Sequence, residues 1–114
     1  MRVSDLVERL ELEVYSGEQG LSNIVSGGYT SDLLSDVMGN ASEDQIWITL
    51  QTHKNVLAVA SLKDLAAIVL VKGFKPDADM EQESNLHNIP VLGTNLESFE
   101  ISALLYNLLN KQNL

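Results

Sequence analysis

The sequence predicts an α/β fold: a small, mostly parallel sheet flanked by helices. Three observations carry that expectation. From Gln45 onward, strand-like and helix-like segments alternate three times, which implies parallel strands joined by right-handed crossovers. Ala66–Val71 is apolar at every position, as a strand covered on both faces must be. The 114 residues, 45% of them hydrophobic, suit one domain with one ordinary core.

The elements follow in chain order. Ser4 is placed to cap a short helix whose Val3, Leu6, Val7 and Leu10 fall on one face. Leu12, Val14 and Ser16 alternate as a strand, which the polar turn Gly17–Gly20 stops. Ile24–Thr30 is strand-like and interrupted by Gly27-Gly28. Ser31 is placed to cap a second short helix built on Leu33, Leu34, Val37 and Met38, with Gly39-Asn40 as its stop. Gln45–Leu50 alternates, with Ile46, Ile48 and Leu50 on one face and Trp47 and Thr49 on the other. The next helix starts near Thr52 or His53 and packs through Val56, Leu57, Val59 and Ala60.

Beyond the apolar strand, Gly73–Asp77 is a loop and Ala78–Leu86 a polar, acidic, mostly solvated helix. Ile89–Leu92 is the last strand, with Pro90 at its beginning or on a sheet edge. Thr94 and Glu97 have the spacing of a capping box. The helix they open carries Ile101, Leu104, Leu105 and Leu108 on one face, and Leu109 widens the stripe. Trp47, Tyr15, Tyr29 and Tyr106 are expected in the core or at an interface. No repeat or linker interrupts the chain, so residues 1–114 are expected to form one domain.

Composition excludes several functions. Sixteen acidic residues against seven basic ones give a net charge of −9. A phosphate backbone or an anionic membrane surface needs clustered Lys and Arg, so neither is an expected partner. The absence of cysteine removes disulfides, thiolate chemistry and Cys-type zinc sites. Leu65–Val71, the longest apolar stretch, is too short to span a bilayer, and the N-terminal segment lacks the apolar run of a signal peptide. A cytoplasmic location is expected by elimination.

In open parallel sheets, ligands collect beyond the carboxyl ends of the strands. Three loops are expected there: Gly27–Asp32, Gln51–Asn55 and Gly93–Asn95. Each leads into a helix, whose first amide groups attract anions. The candidate ligand-binding residues are Gly27, Gly28, Ser31, Asp32, Gln51, Thr52, His53, Asn55 and Thr94. The glycine pair either lets the backbone approach a ligand or supplies positive φ in a bend or bulge. It makes no phosphate loop, because no Lys-Ser/Thr follows it.

Asp32 stands where it stabilises a helix dipole or shares the cap with Ser31. Asp32 and Asp36 also have the i, i+4 spacing of an acid/base or metal pair, and His53 is either a capping residue or a donor to a phosphate or carboxylate. His87 is expected to be exposed. A hydrolase built on Asp32, Asp36 and His53 would require the three to converge on one pocket. No HxxxH, HExxH or EF-hand pattern calls for a metal, no motif calls for another cofactor, and no nucleophile elbow marks a catalytic residue.

The run Gly20-Leu21-Ser22-Asn23-Ile24-Val25-Ser26-Gly27-Gly28 resembles the signature of the DRTGG-domain family. Tyr29–Gly39, Trp47–His53 with Asn55-Val56, and Ala58-Val59-Ala60 are similar to its stand-alone members. Ser22, Asn23 and Ser26 replace the Asp, Arg and Thr that name the family, so no Asp–Arg ion pair forms here. The resemblance implies a fold similar to the N-terminal domain of HPr kinase/phosphorylase and to Mur ligase N-terminal domains. Asp64–Val71 and Ile89–Leu92 are laid out like the corresponding Mur segment. It further implies a non-catalytic regulatory module, expected as a homodimer. The alternative is a sensor of a nucleotide or other anionic small molecule, and a protein partner fits either reading.

Overall fold

The computed structural model describes residues 1–111; the last three positions of the expected 1–114 domain lie outside the described residues. The chain runs α1 (Val3–Arg9), β1 (Glu13–Ser16), a single 3₁₀ turn (Glu18–Gly20), β2 (Gly27–Thr30), α2 (Leu34–Asn40), β3 (Gln45–Thr49), α3 (Lys54–Leu62), β4 (Ala67–Leu70), α4 (Ala78–His87), β5 (Val91–Gly93) and α5 (Ser98–Lys111). The five strands form one sheet in the order β1-β5-β4-β3-β2. β2, β3, β4 and β5 are mutually parallel, and only β1 runs antiparallel, against β5. The expected α/β fold is the observed one.

Period-two burial divides the core between the two faces. Ile46, Ile48, Ala67, Val69 and Leu92 join Val3 and Leu6 of α1 and Ile101 and Leu105 of α5. On the opposite face Trp47, Ile68, Leu70 and Val91 meet α2, α3 and α4 through Val37, Val56, Leu57 and Met80. Both faces of β3 and β4 are therefore dry, which is why Ala66–Val71 could be apolar throughout.

Several local expectations are corrected. Ser4 lies inside α1: Arg2 is the N-cap, because the Asp5 carboxylate reaches back to accept the Arg2 amide at 2.9 Å. Ser31 accepts the Leu33 amide at 3.1 Å in a turn ahead of α2, whose N-cap is Leu33 itself. Gly39 and Asn40 belong to that helix and Ala41 ends it. Of its expected apolar face, Val37 is fully buried while Leu33 and Met38 are exposed.

Thr94 and Glu97 form no capping box. The Thr94 hydroxyl accepts from Leu96 N–H at 3.2 Å, and the Glu97 amide donates to the Glu100 carboxylate at 3.2 Å, so neither residue bonds the other. Leu104 is also exposed, outside the stripe expected of α5. The acidic helix α4 buries Met80 and Ser84, one turn apart, beneath an otherwise polar surface.

The glycine pair supplies neither positive φ nor a bulge. Both residues keep ordinary strand backbone and pair in unbroken register, Gly27 with Gln45 and Gly28 with Ile46. What position 28 requires is closeness: a Cβ there would stand 2.9 Å from Leu105 Cδ2 of the overlying α5.

Candidate functional site

Because β2 to β5 run parallel, their carboxyl ends share one rim. The loops that follow β3 and β5 are two of the three anticipated from the sequence; of the third, Gly27–Asp32, the first four residues are β2 itself and only Ser31 and Asp32 follow it. A fourth belongs with them, Val71–Asp77 after β4; its signal was available, since it follows the most apolar strand and ends in an Asp at a helix start.

Hydrogen bonds tie these loops into two knots. In the first, Asp32 Oδ1 accepts from the Thr49 hydroxyl and from Leu50 N–H, each at 2.9 Å. Gln51 Nε2 returns a bond to the Asp32 carbonyl at 3.0 Å. Trp47 Nε1 donates to the Ser31 carbonyl at 2.8 Å. Asp32 thus braces the end of β3 instead of serving the α2 dipole or cap. Thr49 is fully buried, and its satisfied hydroxyl explains how a polar residue sits there.

The second knot lies between β3 and β4. His53 is the N-cap residue of α3, though its side chain makes no cap bond. Its Nδ1 instead lies 3.1 Å from Asp77 Oδ2, while Asp77 Oδ1 caps α4 by accepting Met80 N–H at 2.9 Å. The Thr52 carbonyl takes the Asp77 amide at 3.1 Å. The Met80 amide, and after it His53, hold the Asp77 carboxyl below its ordinary range. Asn55 is exposed in the first turn of α3.

Thr94 stands on the far side of the rim, its amide on the Leu70 carbonyl at 3.0 Å and its carbonyl on Gly73 N–H at 2.9 Å. Gly27 and Gly28 lie elsewhere, as the first two residues of β2, at its amino end beside α5. The nine candidates therefore fall into separate neighbourhoods: Ser31, Asp32 and Gln51 together, Thr52, His53 and Asn55 together, Thr94 at the β5 end, and the glycine pair on the outer strand.

The triad needed for a hydrolase does not form. Asp36 accepts from the Tyr29 hydroxyl at 2.9 Å and from Asn40. Hydrogen bonds from the Ser31 and Tyr29 hydroxyls hold its carboxyl below the usual carboxylate range. Asp32 is held by Thr49 and Leu50, and His53 by Asp77, so among the described residues no hydrogen bond joins any two of Asp32, Asp36 and His53. Asn23 and Ser26 tie distant segments together: Asn23 Nδ2 donates to the Ala66 and Asn88 carbonyls, both at 3.1 Å, and Ser26 to the Glu43 carbonyl at 3.0 Å. No group of three His, Asp or Glu side chains suited to a metal gathers among the described residues, and no described helix is long and apolar enough to cross a membrane.

No family model matches the chain, and no curated protein does. Among solved structures, the fold is similar to the CBS and DRTGG domains of the regulatory region of a Clostridium perfringens pyrophosphatase, complexed with the activator diadenosine tetraphosphate. The TM-score is 0.71 at 17% identity, over 91% of this chain and 45% of that one. The chain thus spans less than half the length of that structure, and likeness at this identity concerns the fold.

Proposed function

We propose that this chain is a non-catalytic regulatory module of the DRTGG type that pairs with a second copy of itself in the cytoplasm. The observation that carries the reading is the shared fold with a regulatory region of a larger protein. The rim supports it as well. Ser31, Asp32 and Gln51 each bond neighbouring backbone, as does one oxygen of Asp77, so these side chains hold the rim loops in place. Leu62 and Leu86, 71% and 70% exposed near the ends of α3 and α4, offer apolar surface for a partner to cover. Light scattering tests the pairing directly: a dimer is expected at micromolar concentration, and a monomer there overturns it.

A second reading, a sensor of a nucleotide or other anion at the rim, is favoured by the nucleotide activator bound in the similar structure. Two helix N-termini, of α3 and α4, adjoin where His53 meets Asp77. With a net charge of −9, backbone amides would have to hold the anion. A thermal-shift screen of nucleotides decides it: ligand at 100 times its dissociation constant adds about 2.7 kcal/mol of stability. An unmoved midpoint across the screen rejects it.

A further inference from the structure

β2 is an edge strand, and α5 crosses beside it with Leu105 over Gly28 and the Ser102 hydroxyl 2.7 Å from that of Thr30. Side chains normally fill the angle between an edge strand and its covering helix. Positions 27 and 28 have none; Leu105 closes onto Gly28, and a groove of about 530 Å³ lies between the strand and the helix. That lies within the roughly 300–1,000 Å³ of small-molecule sites. Val25, Ile48 and Leu105, all buried, form its apolar floor, and Ser26, Gln45 and Tyr106 line it with polar groups. Among the described residues no lining side chain is charged, although the chain carries 23 charged side chains, sixteen acidic and seven basic.

We propose that this groove binds an uncharged planar heterocycle of the nucleobase type. An apolar floor accepts the flat face of a ring. The Tyr106 side chain, 70% exposed at the groove, offers an aromatic surface for stacking. Gln45 Oε1 accepts the Ser42 amide at 2.8 Å, which fixes the side-chain amide and leaves its Nε2 3.7 Å from where a Gly27 Cβ would stand. An oriented amide of this kind suits the carbonyl and ring-nitrogen edges of a base. With no cation among the described lining residues, a phosphate on the ligand finds no charged partner there. The groove lies apart from the His53–Asp77 rim, so this inference and the anion-sensing reading fail separately.

The test is a pair of amide NMR titrations of the full chain, with adenosine and with uridine, each repeated with the 5′-monophosphate. Saturable shifts of Gly27, Gly28 and Tyr106 with at least one nucleoside are expected, with its monophosphate binding no tighter. Gly27→Val should weaken that binding about tenfold or more. A Cβ at position 27 meets the Gln45 side chain at 3.7–3.9 Å, ordinary van der Waals contact, on an edge strand where a β-branched residue is tolerated. Tyr106→Ala, at an exposed position, should weaken it without loss of fold. Three results would overturn the proposal: no saturable shift with either nucleoside, shifts confined to residues 52–54 and 77–80 with the monophosphates alone, or groove signals that move only with protein concentration. The last would place a second copy in the groove.

Discussion

Ser16 and Ser84 meet hydroxyl to hydroxyl at 2.8 Å in the interior, 5% and 0% exposed and 68 residues apart in sequence. Ser84 passes its own proton to the Ile89 carbonyl at 2.6 Å. Beside them the Gly17 amide donates to Asn85 Oδ1 at 2.7 Å. This chain of bonds bolts β1, the one antiparallel strand, to α4 and to the entry of β5.

Replacing Ser84 with Ala orphans both the Ser16 hydroxyl and the Ile89 carbonyl. The expected cost is about 1–3 kcal/mol, the usual penalty for buried groups left unpaired. Ser16→Ala added to it should cost little more, because the lone hydroxyl is then gone. Urea unfolding of the two single variants and the double variant measures that coupling; strict additivity would refute it.

Asp32→Ala is expected to destabilise by about 1–3 kcal/mol, mainly by leaving the buried Thr49 hydroxyl without its acceptor. Asp32→Asn keeps an oxygen at the same place and should retain most of that stability. Equal losses in the two variants would show that the carboxylate charge, and not the acceptor geometry, is what matters.

Trp47 is the only tryptophan, fully buried, with its indole N–H on the Ser31 carbonyl. Native fluorescence should therefore be blue-shifted and move red on unfolding. Trp47→Phe removes the donor and leaves a void, with an expected cost of about 1–3 kcal/mol in denaturant titration.

Asp77 carries a pH dependence of definite sign. Its carboxyl is held low chiefly by the Met80 amide and next by His53, so ionised Asp77 favours the folded state. That contribution is complete above the unfolded carboxyl value, about 3.9, and is lost as pH falls through the lower folded value. The stability gap between the native chain and Asp77→Ala should be open at pH 7 and close in strongly acidic buffer. His53→Ala should cost less than Asp77→Ala, since it removes an exposed partner and spares the helix cap.

The second half of the fold is legible in the sequence because burial is written there as periodicity. β3 alternates, β4 is apolar on both sides, and α3 repeats Val56, Leu57, Val59 and Ala60, all of which are buried. The helix starts are less legible. Ser4, Ser31 and Thr94 each have the right chemistry for a cap, but neighbouring side chains and tertiary bonds decide which oxygen meets which amide. The candidate rim could be located because parallel strands put their ends on one side. Its wiring could not, since His53 and Asp77 lie 24 residues apart and no local pattern joins them.

Amino-acid order alone settled most of the strands and helices and the buried faces of β3, β4 and α3, since apolar spacing repeats with the local backbone period; it misplaced Leu33, Met38 and Leu104, which are exposed. The three-dimensional arrangement alone settled which neighbour covers each face. It inserted β1 antiparallel beside β5, left β2 outermost, and set Leu105 close against Gly28 at the sheet edge. The physical reason is that hydrophobic patterning is shared by every possible partner, whereas contact between distant residues depends on a shape that exists only once the chain has packed.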